Sequence, residues 1–272
     1  MTGNKLRMLI DTHCHLAFHR FDADRAAVVA RAVAAGVVRI VVPAIDLENC
    51  TAVLALAEQF PEVYAAVGVH PNSTADWQDG WLDKLRNMAQ HEKVVAIGEI
   101  GLDYHWDKSP HPVQHHAFRQ QLQLAVELDL PVIVHNREAS EDVVRMLRET
   151  PGKGVLHSFA ADWDTAVQVL DMGYYLGFTG PVTYKKATEL RAIAARVPLD
   201  RIVVETDAPY LAPEQGDGAS RGKRPSRNEP AFVTQVAARI AQERGMDTAV
   251  FAHHTTQNAR RLFSKMRLEI RD

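Results

Sequence analysis

A (β/α)8 TIM barrel is the fold class that three features of this 272-residue chain predict. Short, apolar, β-rich runs alternate with helical patterns along its whole length, eight such runs can be picked out, and the connections between them are short. Apolar strands that are each followed by a helix point to a parallel sheet buried on both faces. The length is close to the ~250 residues usual for such a barrel. The competing architecture, an open doubly wound sheet, carries a glycine-rich phosphate turn after its first strand, and "HCHLAFHRFD" contains none. No linker, low-complexity segment or repeat divides the sequence, so residues 1–272 are expected to form a single domain.

In chain order, "RMLIDTHCH" (7–15) is the first strand. The alanine-rich "DADRAAVVARAVAAG" (22–36) is a helix closed by Gly36 as its C-cap. "RIVVPA" (39–44) is followed by a helix over 47–59, and "VYAAVGVHP" (63–71) by one over 80–90. "KVVAIGEIGLDY" (93–104) precedes a helix over 113–128, and "PVIVHNR" (131–137) one over 139–149. "KGVLHSF" (153–159) leads to a helix over 163–172, and "GYYLGFTG" (173–180) to one over 186–196. The eighth strand, "DRIVVETDAP" (200–209), opens into a polar loop and two helices, over 229–244 and 247–263.

Composition narrows the function. The chain is 46% hydrophobic and 24% charged, ordinary for a globular protein. A net charge of -3 argues against general electrostatic attraction to nucleic acid, though not against a local basic patch. Two cysteines, Cys14 and Cys50, make no disulfide framework and suit a reducing compartment. No apolar run approaches the ~18 residues of a membrane span. A cytoplasmic protein with no membrane contact and no obligate protein partner is the expectation. Histidine is the one oddity, at 13 residues. His111, His115 and His116 sit among Gln and Pro before a helix, His253 and His254 lie on a late helical stretch, and these five read as solvated; the others stand at strand ends.

In a barrel of this class the C-terminal strand ends form the catalytic face, and there the ionisable residues collect. Strand one offers Asp11, His13 and His15, and strand three His70. Strand four offers Glu99 and Asp103, strand five His135 and Arg137, and strand six His157. Strand eight offers Glu205 and Asp207. Strand alternation puts Asp11, His13 and His15 on one face and Cys14, read as packing, on the other. Glu205 and Asp207 share a face by the same rule. Burying so many ionisable groups costs several kcal/mol, of order, unless they are paired or bind cations. His, Glu and Asp are the common donors to zinc and transition metals. His13, His15, Glu99, His135, His157 and Asp207 make six ligands, more than one open site needs and enough for two divalent ions. The reaction class this favours is hydrolysis, of phosphodiesters first and of esters or amides second. Asp11, one pleat deeper, is expected to stand behind a ligand and orient an imidazole through its other N–H.

The motifs "IDTHCHL", "VGVHP", "GEIGLDY", "PVIVHNREA", "LHSF", "ETDAPYLAP" and "RNEP" follow one another along the chain. Their ordered set resembles the signatures of the TatD deoxyribonuclease family, metal-dependent hydrolases on (β/α)8 barrels, over essentially the whole sequence. The resemblance implies two divalent ions and 3′–5′ exonuclease action on single-stranded DNA or RNA. By family pattern His13, His15, Glu99 and Asp207 hold one ion, and Glu99 bridges to a second held by His135 and His157. Asp207 takes a proton from the attacking water and Glu205 orients that machinery. Mg, Mn and Zn are the candidate metals; the histidine donors suit Zn, Mn, Fe or Ni, while Mg prefers oxygen and water.

Other positions carry two readings. His70 either touches the scissile phosphate or makes a structural hydrogen bond. Arg137 clamps a phosphate or pairs with an acid such as Glu138. Asp103 and Tyr104 serve the site or stabilise a turn and pack. The basic cluster Arg221, Lys223, Arg224 and Arg227 meets substrate phosphates or is a solvated loop, and Asn228 reads as an N-cap. Two departures from the family pattern lie beside the substrate path: "HSFAA" where members often read "HCFSG", and a "PS" insertion before "RNEP". Two other functions compete with the nuclease. One is hydrolysis of a different bond by the same metals, such as the ester of an aminoacyl-tRNA; the other is a non-catalytic binding barrel.

Overall fold

The structure, a computed structural model, describes residues 8–214 and 224–266. Its strands are β1 (Leu9–Asp11), β2 (Val37–Pro43), β3 (Val63–Val67), β4 (Val94–Asp103), β5 (Val132–Arg137), β6 (Gly154–Leu156), β7 (Tyr175–Phe178) and β8 (Ile202–Val204). The helices are α1 (Arg25–Ala34), α2 (Leu47–Gln59), α3 (Trp81–Met88), α4 (His111–Glu127), α5 (Ser140–Glu149), α6 (Trp163–Asp171), α7 (Thr188–Arg196), α8 (Val233–Glu243) and α9 (Thr248–Leu262). The strands follow one another through an eight-stranded sheet in chain order, the (β/α)8 TIM-barrel class expected from the sequence.

By contacts the chain divides into two compact units. One comprises the described residues up to Val42 together with His157–Ala259. Within it β7 pairs in parallel with β8 (Leu176 with Ile202, Phe178 with Val204), and β1 with β2 (Ile10 with Arg39, Asp11 with Ile40). The main chain after β1 is laced to β8: Thr12 N–H donates to the Val204 carbonyl, and Cys14 bridges Ala208 in parallel. Helix α9 ties in both strands, Thr256 donating to the Met8 carbonyl and Asn258 to those of Leu199 and Ile202. At the start of α6, Asp162 accepts from the Thr165 N–H at 2.9 Å, a side-chain cap.

The second unit comprises Pro43–Leu156 and the described residues from Arg260. Here β3, β4, β5 and β6 pair in parallel. Helix α5 shows the amphipathic logic of the class: Val143, Val144, Met146 and Leu147 are buried, and Glu141, Arg145 and Glu149 fall off that face. Between β4 and β5 the register moves three residues on one strand (Ile97 to Ile100) against two on the other (Val132 to Val134). The extra residue is a bulge at Gly98–Glu99, a device that re-aims a side chain.

Several strands are shorter than the sequence suggests. The first was expected over 7–15 and ends at Asp11; the sixth ends at Leu156 and the eighth at Val204. Ser158 and Asp207 explain two of these stops, since their φ values of 45° and 54° lie in the left-handed region and break the extended path. His13, His15, His157, Glu205 and Asp207 therefore stand just beyond the ladders, whereas Glu99 and His135 lie within β4 and β5. Among the described residues no helix is long and apolar enough to cross a membrane.

Candidate metal centre

In the first unit, the segment after β1 stays extended because Cys14 N–H bonds to the Val41 carbonyl and His15 N–H to that of Ala208. His13 and His15 are thereby held with their Nε2 atoms 3.2 Å apart and their rings edge to face. Asp207 joins them from beyond β8. Its N–H donates to the His13 carbonyl at 2.8 Å, and its Oδ1 lies 3.4 Å from His15 Nε2 and 3.6 Å from His13 Nε2. Aspartate tolerates the left-handed backbone at 207 better than most residues do. The three donor atoms fit a divalent cation: ligands on tetrahedral bonds of about 2.1 Å stand roughly 3.4 Å apart. Two imidazoles and a carboxylate are also the donor types that first-row divalent ions take.

His157 follows β6 directly, and its ring stacks on that of His13 with centroids 3.7 Å apart. Its Nδ1 is 3.3 Å from Glu205 Oε1, so His13, His157 and Glu205 form a buried donor group of their own. Glu205 has no solvent exposure. Thr12 Oγ1 donates to its Oε2 at 3.2 Å and Ser158 N–H donates to its Oε1. A Cβ on Gly177 would stand 2.7 Å from the carboxylate carbon and both oxygens, so glycine in "YLGF" leaves room for this group. The sequence suggests that Glu205 and Asp207 share a strand face and a catalytic role. The turn at Asp207 separates them: Asp207 meets the imidazoles of His13 and His15, whereas Glu205 is sealed in and holds His157 and the Ser158 turn.

Asp11 requires a second correction. Its Oδ1 accepts from the Thr206 N–H (2.9 Å) and the His13 N–H (3.4 Å), and its Oδ2 from Thr206 Oγ1 (2.6 Å). It therefore orients no imidazole; it grips the residue between Glu205 and Asp207 and the backbone of His13. β1 ends at Asp11, where the carboxylate meets the loop after β8. Burial pushes this carboxyl well above the ordinary range, with hydrogen bonds from Thr206 and His13 opposing. For Asp207, burial would also raise the carboxyl, but the imidazole of His15 and the charges of His157 and His13 hold it below its usual value. Cys14 is buried, its sulfur 3.8 Å from the Ala208 carbonyl.

"RNEP" fastens the loop that carries Asp207. Asn228 is fully buried and donates from Nδ2 to the carbonyls of Thr206 (2.8 Å) and Tyr210 (2.7 Å), so it clasps that loop and is no helix cap. Arg227 makes two 2.8 Å bonds to Asp24 and one to Glu229, and Arg31 also bonds both acids. Chiefly through the Arg227 hydrogen bond, the Asp24 carboxyl falls to about 2. Of the remaining basic cluster, Arg224 lies over the Tyr184 ring at 4.8 Å, while Arg221 and Lys223 fall outside the described residues.

The second unit holds another donor group, His70, Glu99 and His135. The bulge in β4 delivers Glu99, whose Oε1 is 2.8 Å from His135 Nδ1 and 3.7 Å from His70 Nε2. His135 Nε2 donates to Asp103 Oδ2 at 3.0 Å, which fixes the ring with Nδ1 toward Glu99, as a carboxylate behind a ligand histidine does. Asp103 bonds His135 and also stabilises a turn. Oδ2 also accepts from Asn72, while Oδ1 accepts from the N–H groups of His105 and Trp106 and closes the turn after β4. Burial would raise its carboxyl, but the hydrogen bond and charge of His135 hold it well below the usual range. His70 does make a structural hydrogen bond, its Nδ1 accepting from the Asn72 N–H. Tyr104 donates to Asp142 Oδ2 and meets His115 Nε2, so that His115, expected on a solvated face, is partly buried against it. Arg137 is exposed at the end of β5. Sequence reading missed Thr12, Thr206, Ser158, Gly177 and Asn72; the first three sit within motifs, Asn72 directly follows one and Gly177 lies in the seventh strand, but each partner is remote in sequence.

Clustered histidines and carboxylates at the strand ends of a (β/α)8 sheet define a metal-dependent hydrolase class. The comparisons agree. The family description "TatD related DNase" matches residues 10–264. The chain is 43% identical over 259 residues to the uncharacterized metal-dependent hydrolase YabD of Bacillus subtilis, covering 94% of this chain and 99% of that protein. It is 39% identical over 262 residues to the 3'-5' ssDNA/RNA exonuclease TatD of Cronobacter sakazakii, covering 94% and 98%. The crystal structure of the TatD homolog YjjV from Escherichia coli superposes with a TM-score of 0.85 at 34% identity, covering 95% and 98%. This chain belongs to the TatD family of metal-dependent hydrolases.

Proposed function

We propose that this protein is a divalent-metal-dependent 3′–5′ exonuclease acting on single-stranded DNA or RNA. The observation that carries the proposal is the trio His13 Nε2, His15 Nε2 and Asp207 Oδ1, spaced at 3.2, 3.4 and 3.6 Å like ligands to one cation. Relatives of matching length that bear the exonuclease name support the choice of bond. Two divalent ions are proposed, with His13, His15, His157, Asp207, Glu99 and His135 as their ligands. When bound, such ions polarise a phosphoryl oxygen and make water acidic enough to attack near neutral pH.

The remaining work belongs to the chain. Asp207, whose side chain keeps 15% exposure where His13 has none, is the carboxylate that accepts the proton of the attacking water. Glu205 is a positioning residue: by bonding the Ser158 N–H and standing against His157 Nδ1, it fixes that ring without touching substrate. Asp103 does the same for His135. His70 and Arg137 contact the phosphate, Arg137 with a planar fork suited to two oxygens.

The test is a 5′-labelled single strand incubated with purified protein and Mn2+ or Mg2+, resolved on a denaturing gel. Progressive shortening from the 3′ end, stopped by EDTA and restored by added Mn2+, is the expected outcome. A strand left intact by protein that hydrolyses aryl esters or aminoacyl-tRNA under the same conditions would assign the metals to a different bond.

A further inference from the structure

Resting on that reading, we propose that Trp106, with Arg137 and Lys108 beside it, is a stacking platform for a base of the single-stranded substrate. Trp106 lies in the turn that follows β4, at the end of the strand from which Glu99 and Asp103 come. The residue is 48% exposed, although an indole of this size would bury about 150–250 Å2 if packed. The turn is well fixed, because Asp103 Oδ1 accepts from the Trp106 and His105 N–H groups while Oδ2 holds His135. One carboxylate thus sets both a ligand histidine and the backbone that presents the indole.

Two cations lie over the ring at long range, and the His105 ring meets it edge to face with centroids 4.8 Å apart. The Arg137 guanidinium carbon is 5.5 Å from the ring centroid and Lys108 Nζ is 6.0 Å away, at the outer limit of ~6 Å for such contacts. Elsewhere in the molecule Arg196 closes over Trp163 at 3.8 Å, which shows how a covered indole looks. Among the described residues no carboxylate pairs with Arg137 or Lys108. The adjacent Glu138 is bonded to His105 at 2.7 Å, and Asp107 is the one further acid in the turn. An exposed aromatic face flanked by two uncommitted cations is what single-stranded nucleic acid requires, a surface for a base with charges for its phosphates. Stacking is tolerant of sequence, as suits an enzyme that passes along a strand.

The experiment measures binding and cleavage separately on the full-length protein and on Trp106→Ala, Trp106→Phe and Arg137→Ala. Binding is followed by fluorescence anisotropy in Ca2+, with the strand recovered intact, for an oligothymidylate and for the same strand carrying abasic sites. The wild type is expected to favour the thymidylate by about tenfold, the order of one stacked base. Trp106→Ala should lose that preference while binding the abasic strand unchanged, and Trp106→Phe should keep most of it. Arg137→Ala should weaken both strands alike and lower the salt slope by about one. Equal preference in Trp106→Ala and wild type, or no preference in the wild type, overturns the platform. If the platform passes but no strand is shortened in Mn2+, the exonuclease reading fails and the binding site stands. If strands are shortened with no role for Trp106, the reverse holds.

Discussion

Asp207→Asn is expected to lower the turnover of a single-stranded substrate by about 10²- to 10⁴-fold, the range associated with a positioned proton acceptor. Asparagine is the least disruptive choice. It shares the side-chain shape, tolerates the left-handed φ of 54° at this position, and keeps the N–H bond to the His13 carbonyl. What it removes is the negative charge that faces His15 Nε2 at 3.4 Å and His13 Nε2 at 3.6 Å. Loss of rate should therefore come without loss of fold, the thermal midpoint staying within a few degrees. Steady-state rates at saturating metal, beside a melting curve of each protein, check both halves. A variant that retains a tenth or more of wild-type turnover would remove Asp207 from proton transfer.

Gly101→Ala is expected to cause the largest loss of stability. The glycine sits in β4 opposite His135 with a φ of 147°, a conformation nearly confined to glycine. An added Cβ would lie 2.0 Å from the His135 carbonyl oxygen and 2.9 Å from that residue's C and N atoms, all backbone. Overpacking costs roughly 1–3 kcal/mol and the strained backbone a further ~1–3 kcal/mol, against a total stability of about 5–15 kcal/mol. At 2–4 °C per kcal/mol, roughly, the midpoint should fall by about 5–20 °C. Activity should drop as well, because the displaced strand carries His135. Gly173→Ala separates strain from crowding: its φ is 83° but no atom lies within 4 Å of the new Cβ, so it should lose only about 1 kcal/mol. Equal midpoints for the two variants would refute the steric argument.

Much of the architecture was legible because periodicity is a local property. Apolar runs such as "KVVAIGEIGLDY" and helix stops such as Gly36, whose φ is 93°, announce themselves within a few residues. Which residues interrupt those runs was legible too, since ionisable groups in a buried strand demand a reason. Partnerships across the chain were not. Asp11 and Thr206 are 195 residues apart in sequence, Thr12 and Glu205 193, and nothing local to either shows that they meet. Alternation also failed where the backbone departs from a strand. The turn at Asp207 parts it from Glu205, and the bulge at Gly98–Glu99 aims a carboxylate that a regular β4 would place elsewhere. The glycines of "GEIGLDY" and "YLGF" carried the missing signal, for each marks a place where a neighbour comes too close for a Cβ.

The central claim is that His13, His15 and Asp207 hold a divalent cation. Anomalous scattering tests it most directly, on crystals grown with Mn2+ and measured on either side of the manganese absorption edge. The expected result is a peak within bonding distance of His13 Nε2, His15 Nε2 and the Asp207 carboxylate, lost in a His13→Ala, His15→Ala double variant. A well-ordered site with no peak there, in protein that is active in the same buffer, would contradict the claim.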